Sequence, residues 1–446
     1  MNTDYDVILR NGQVVLPDRV KKQDIAIKDG KFVCIADSVS GTATQTEDLQ
    51  GNYVFPGAID VHVHLNEPGR TDWEGFTSGS KMLAAGGMTT FFDMPLNGIP
   101  STTTLDAFRQ KDSIAKEKSL IDYRLWGGLV PGNIDDLEAL AEAGVIGYKA
   151  FISESGNKEF EAADDMTLLE GMKEIARLGK ILALHAESKT ITNFLASEKV
   201  TQNKRTADDY LASRPIIAEV EAVQRALYYA ELTGCPLHFV HISSARAVEK
   251  ILEAKQNGLD VTVETCPHYL LFSHQDLQTK GAVAKCAPPL REEEERQKLI
   301  ALLAANKFDM IASDHSPSPF SLKDPDNHDL FSAWGGISGG QFTLLAMLEL
   351  AIDYDLPFHR VAAWTASHPA ERFNLSGKGK IALGYHADFT IIDTSMETVV
   401  SPANYFAKHT NSIYMDHHFP CQINQTFQNG RIIYDASSHN FMPVTP

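Results

Sequence analysis

Apolar positions fall along the chain in two textures. Over residues 1–53 they come in short alternating runs at 6–9, 13–16, 25–28 and 32–35, with Asp29-Gly30 as a tight turn, and this predicts a small antiparallel sheet. From residue 54 the runs become continuous and alternate with helical spacing. Eight of them lie at 55–65, 89–94, 123–129, 145–152, 181–187, 237–243, 261–270 and 310–315. Between the first two, Thr71-Asp72-Trp73-Glu74 reads as a capping box opening a helix through Trp73, Phe76, Met82 and Leu83, which Gly86-Gly87 stops. Strand, helix and strand repeated in this way predict an α/β fold, a (β/α)₈ TIM barrel over residues 54–377, with reactive groups at the carboxyl ends of its strands. A long loop, 317–340, follows the eighth run. From 378 to 446 strand texture returns at Gly379-Lys380-Ile381, at 387–393 and at 428–434, so both chain ends are expected to build one smaller β-sandwich domain, 1–53 with 378–446.

Composition narrows the function classes. A chain of 446 residues, 43% hydrophobic, has the core for one large domain and a smaller one. The 58 acidic against 40 basic residues give a formal charge of -18, which repels phosphate backbones and anionic lipid and argues against nucleic acid or membrane as partner. The opening residues Met1 to Asp6 are acidic where a secretory leader needs a basic region and an apolar run, and no later stretch is long enough to span a bilayer. Five scattered cysteines, an odd number without a CxxC pair, fit a reduced cytoplasmic setting.

The candidate chemistry sits where the runs end. His62 and His64, two apart on one strand, face the same way and can grip one ion. His185, His241 and Asp314 each close a later run. One such histidine alone reads as a core residue and one such aspartate as a helix cap. Five on one rim make a nitrogen-rich set with a carboxylate, suited to borderline divalent metals such as zinc. Lys149 follows Gly147-Tyr148 in the otherwise apolar fourth run and is read as a strand-end residue; a lysine there usually snorkels to solvent, but beside two cations its amine is driven neutral and can add carbon dioxide as a carbamate. That carboxylate can bridge two metals roughly 3.5–4 Å apart. Asn97 and Ser316 are polar residues near strand ends and candidate substrate contacts, their alternative being loop structuring. Cys266 and Cys286 read as packing residues.

The text Asp60-Val61-His62-Val63-His64, with Lys149, His185, His241 and Asp314, resembles the binuclear amidohydrolase superfamily. Within its cyclic-amide branch, Glu67-Pro68-Gly69-Arg70, Gly86-Gly87-Met88-Thr89-Thr90, Asp93-Met94-Pro95-Leu96-Asn97, Glu264-Thr265-Cys266-Pro267-His268-Tyr269, Cys286-Ala287-Pro288-Pro289-Leu290-Arg291 and Ala333-Trp334-Gly335-Gly336-Ile337 are most like the allantoinase family, over nearly the whole chain. The resemblance implies that His62, His64 and Asp314 hold one metal, that His185 and His241 hold the other, and that Lys149 bridges both as N6-carboxylysine. It implies two zinc ions, a bridging hydroxide, Asp314 as general base and acid, allantoin as substrate, and a homotetramer. It also points to the main chains of Ala287 and Gly335 as substrate contacts; Ala287 stands where relatives more often have serine. Two departures bear on substrate. Dihydroorotase relatives carry arginine where this chain has Asn66, and hydantoinase or dihydropyrimidinase relatives carry tyrosine where it has Glu154, so an uncharged ring fits best and general hydantoinase activity is the alternative. A metal-free scaffold homologue is the non-enzymatic alternative, against which all six ligand positions are filled.

Overall fold

Sequence that alternates apolar and polar positions at both ends of the chain forms strands whose apolar side chains share one core. The computed structural model describes residues 3–442, and in it Lys31–Ala36, Val20–Lys28, Tyr5–Val15, Tyr53–Pro56, Phe389–Asp393, Gln422–Gln428, Arg431–Asp435 and Asn440–Phe441 lie side by side in that order, with Ala43–Asp48 also paired to Tyr5–Val15. The predicted runs 6–9 and 13–16 are one strand whose register shifts between Leu9 and Gly12, with Asn11 at a φ of 58° taking the extra residue. The nine-stranded sheet is mixed, since Ala43–Asp48 and Tyr53–Pro56 run parallel to Tyr5–Val15, and this corrects the expectation of a purely antiparallel sheet. Ala43–Asp48 and Gln422–Gln428 have almost no apolar residues to mark them. Gly379-Lys380-Ile381 forms no strand; Ile381 instead fills the core of Leu9, Val14, Phe32, Val54 and Phe389 beneath the sheet.

The middle of the chain alternates helix and parallel strand. Each of the eight apolar runs contains a strand: Ala58–Val63, Met88–Asp93, Asp122–Leu125 continued by Gly127–Gly128, Tyr148–Phe151, Leu182–His185, Leu237–Phe239, Val261–Thr265 and Met310–Ile311. The first three, to Leu125, pair in one parallel sheet and the rest, from Gly127, in a second of six strands. The two sheets are joined at both edges. At one, the Trp126 amide donates to the Asp93 carbonyl at 3.0 Å and the Ile146 amide to the Leu125 carbonyl at 2.9 Å. At the other, Val63 bridges His315 in parallel and the His64 amide donates to the His315 carbonyl at 2.8 Å.

The capping box at Thr71 is not made. The first helix of this region is Phe76–Ala85, and its free amide at Phe76 donates to Glu67 Oε2 at 2.9 Å. Glu74 is turned away to accept the Lys408 amide at 3.1 Å, a partner more than three hundred residues distant that no local pattern reveals. Among the described residues no helix is long and apolar enough to cross a membrane.

Candidate metal centre

The strand ends bring the predicted ligands together. One nitrogen each of His62 and His64 and one carboxylate oxygen of Asp314 lie within 4.8 Å of one another, all buried. His62 Nε2 is 3.1 Å and His64 Nε2 3.3 Å from Asp314 Oδ1. His185 Nδ1 and His241 Nε2 face each other at 3.0 Å, and the His62 and His241 rings are 5.4 Å apart, so the two groups of ligands adjoin. Two residues reach these positions with left-handed backbone, His241 at a φ of 40° and Asp314 at 45°. For residues with a Cβ that conformation costs about 1–3 kcal/mol each and persists only where surrounding contacts enforce it.

The Lys149 amine is completely buried and has no hydrogen-bond partner among the described residues. Burial pushes its pKa down to about 8, against the pull of Glu264 and Asp314. The amine lies 5.2 Å from the centre of the Phe151 ring, which stacks on His185 with centroids 4.4 Å apart, and its charge opposes protonation of all four histidines. Burial lowers the pKa of His64, His185 and His241. At His62 burial is outweighed by Asp314 and Glu264, and the pKa rises. Asp314, though desolvated, is held well below the usual carboxylate range by the His62 charge and by bonds from His62 and His64. The imidazoles of His64, His185 and His241, which burial keeps neutral, an ionised carboxylate and an orphaned amine that is easily deprotonated are in the states in which such groups bind cations or carbon dioxide. The residues therefore fit a divalent metal site.

Carboxylates behind the rings were not given roles from the sequence, although Glu264 lies in a motif singled out there. Glu264 Oε1 accepts from His62 Nδ1 at 2.6 Å and from the His241 amide at 3.1 Å, and Oε2 takes His238 Nε2 at 2.9 Å. This orients the His62 ring so that its Nε2 faces Asp314. Glu187 does the same for His185, accepting from Nε2 at 3.0 Å while paired to Arg214. Both carboxylates are driven down to about 2 despite burial, Glu187 by Arg214 and His185, Glu264 by His62 and His238. Asp60 Oδ1 takes the amides of His62 and Ser313 at 3.1 and 3.2 Å, tying the first strand to the eighth. A local signal existed for Asp60 and Glu187, each two residues from a histidine of the site, and none for Glu264, which comes from another strand.

The substrate candidates divide. Asn97, buried and at a φ of 71°, brings its Nδ2 to 3.5 Å from His64 Nδ1 and leaves Oδ1 without a partner. Ser316 is tied by its amide to the Ile337 carbonyl at 2.9 Å, and Gly336 by its amide to the Lys285 carbonyl at 2.8 Å, so Ser316 and Gly335 lie on one assembled loop. Ala287, half-buried, adjoins this loop through Lys285, whose Cε is 3.7 Å from where a Cβ on Gly335 would be. Asn66 Nδ2 bonds the Pro317 carbonyl at 3.4 Å and its Oδ1 has no partner. Glu154 turns outward to Lys189 at 2.7 Å. Cys266 and Cys286 are buried, and desolvation raises both thiols, which leaves them poor nucleophiles.

Comparison with known proteins agrees with this geometry. The model of the amidohydrolase family matches residues 53–433. An allantoinase of Bacillus velezensis is 54% identical over 430 residues, covering 96% of this chain and 94% of that protein, and an allantoinase of Solibacter usitatus is 47% identical over 431 residues, covering 96% and 94%. Among solved structures, the L-hydantoinase (dihydropyrimidinase) from Arthrobacter aurescens superposes with a TM-score of 0.94 at 31% identity, covering 98% of this chain and 97% of that one.

Proposed function

This chain belongs to the amidohydrolase family, and we propose that it hydrolyses the hydantoin-ring amide of allantoin to give allantoate. It is a hydrolase of cyclic amide carbon–nitrogen bonds acting on a small molecule. The observation that carries the site is the junction of His62, His64 and Asp314 with the facing pair His185 and His241 around an unpartnered, readily neutral Lys149. In this reading His62, His64 and Asp314 would hold one divalent cation and His185 and His241 a second, with Lys149, as N6-carboxylysine, a ligand to both. Bound cations supply a water made acidic enough to attack near neutrality and polarise the amide carbonyl. Asp314, kept ionised by its histidines, takes the proton of the attacking water and returns it to the departing ring nitrogen. Asn97 and Ser316, with the main chains of Ala287 and Gly335, orient the ring.

Zinc as the metal, a homotetramer and a cytoplasmic setting belong to the same proposal, on the family resemblance and on the scattered cysteines. So does closure of the eight runs into a (β/α)₈ barrel over residues 54–377, which the joins at Val63 and Trp126 support. The smaller domain then comprises 1–53 and 378–446, and Tyr53–Pro56 pairs with it.

The substrate rests on similarity to named allantoinases and on Asn66, which offers no cation to a substrate carboxylate. A side-by-side assay of allantoin, dihydroorotate, hydantoin and dihydrouracil tests it. The expected result is the highest kcat/KM for allantoin; preference for dihydroorotate rejects the proposal.

A further inference from the structure

Two hydrogen-bond donors on the loops that follow His64 and Asp314 have no acceptor among the described residues. Arg70 lies six residues beyond His64, and its amide donates to the Asn66 carbonyl at 3.1 Å. Its guanidinium carbon sits 4.6 Å from the centre of the Trp73 ring. Trp73 in turn meets Trp334 edge to face, with centroids 4.7 Å apart at 76°. Trp334 arrives from the other side, on the loop after Asp314, where its own amide donates to the Leu322 carbonyl at 2.9 Å. The cluster thus joins the loop that follows His64 to the loop that follows Asp314. Arg70 Nη1 and Trp334 Nε1 are both shielded from water, and neither has a hydrogen-bond partner.

A polar group buried without a partner is costly, and most such groups in folded proteins are satisfied. Two orphaned donors held on a single aromatic residue ask for an oxygen that the protein does not supply. The chemistry of the pair narrows which oxygen. The indole N–H is neutral and the guanidinium donates to a carbonyl as well as to a carboxylate oxygen; of the two, a carbonyl is what the uncharged ring proposed above carries. The flat rings favour a planar group. None of the ring-orienting residues Asn97, Ser316, Ala287 or Gly335 takes part.

We propose that Arg70 and Trp334 form a subsite for the carbonyl oxygen of a ureido substituent on the cyclic amide, selecting a substituted ring over a bare one. This rests on the ring-opening activity proposed above, because allantoin is a hydantoin bearing that group.

Arg70→Met keeps an apolar stem to lie on Trp73, and Trp334→Phe keeps an aromatic ring without its N–H. Each variant and the unaltered protein are assayed on allantoin and on unsubstituted hydantoin. The ratio of kcat/KM for allantoin to that for hydantoin falls about tenfold in each variant, because the substituted ring loses a bond and the bare ring no longer strands a donor. Because the two substitutions disturb different loops, a folded form of either one decides. An unchanged ratio, in protein that opens allantoin, overturns the subsite alone. Preference of the unaltered protein for dihydroorotate assigns the donors to a carboxylate and also overturns it. Failure of the unaltered protein to open allantoin overturns the functional reading itself, and is seen without any variant.

Discussion

Glu264 is the residue on which both groups of ligands lean. It is fully buried, and its two oxygens take the rings of His62 and His238 and the amide of His241, whose backbone is left-handed. Glu264→Gln keeps the shape but loses the charge and one acceptor, so metal affinity should fall about 10–100-fold, as for other partners of ligating histidines. Metal content after dialysis against a graded chelator measures this; retention equal to the parent protein means that Glu264 only fills space. Lys149 makes a second, independent prediction. Lys149→Ala should abolish activity, and a short carboxylic acid should restore part of it by standing in for the carbamate; full activity without the acid excludes carboxylation. The sequence named the four histidines because each stands near the end of an apolar run, and Lys149 because it is the one charge within another; the structure puts Lys149 second in the strand Tyr148–Phe151 and not at its end. It gave Glu264 no role, because the donors the carboxylate serves come from other strands.

At the scale of elements, the loop after Asp314 is held by buried amines. Lys323 Nζ donates to the carbonyls of Ala282 and Gly336, and Lys285 Nζ to that of Ala333. Among the described residues no carboxylate is hydrogen-bonded to either amine. Burial lowers the Lys323 pKa from 10.5 to about 7, and burial with the nearby charges of Arg214 and Lys323 does the same to Lys285. Between about 7 and 10.5 the unfolded chain holds protons that the folded chain has released, so stability rises as pH increases through that window and is least below it. The difference in thermal midpoint between the parent and Lys323→Met, the parent taken minus the variant, should therefore grow from about pH 7 to about pH 10. A flat difference shows that the amine stays charged in the fold. The same loop shows what periodicity misses. Its residues follow no strand or helix pattern, and its shape comes from long-range bonds such as Ser316 to Ile337 and Lys285 to Gly336.

For the whole molecule, the nine-stranded sheet supports the metal centre through the strand that leads to it. Tyr53–Pro56 pairs with Phe389–Asp393 and runs on into Ala58–Val63, which bears His62. Side chains stitch the two parts further, Thr390 Oγ1 to the Gly87 carbonyl at 3.0 Å and Thr426 Oγ1 to the Ala84 carbonyl at 2.7 Å. A chain ended at residue 377 uncovers Val54 and Phe55 along an unpaired strand edge, and it should aggregate. Size-exclusion chromatography checks this; a monodisperse, metal-loaded truncation means that the parallel sheets stand without the end strands.

The sequence by itself determined the alternation of helix and parallel strand, the eight strand positions and the ligand types at their ends. These are local properties: a buried parallel strand must be apolar throughout, and a reactive residue stands out where such a run stops. Tertiary structure decided the rest. Whether Thr71 or Glu67 caps the helix at Phe76, whether Gln422–Gln428 is a strand, and which carboxylate fixes which imidazole all depend on partners brought in from distant segments. A hydrogen bond depends on distance and direction in space, and a single chain does not encode these in the spacing of its residues. The amides of His241 and Ser313 and the orphaned donors of Arg70 and Trp334 became visible only once the loops were folded against one another.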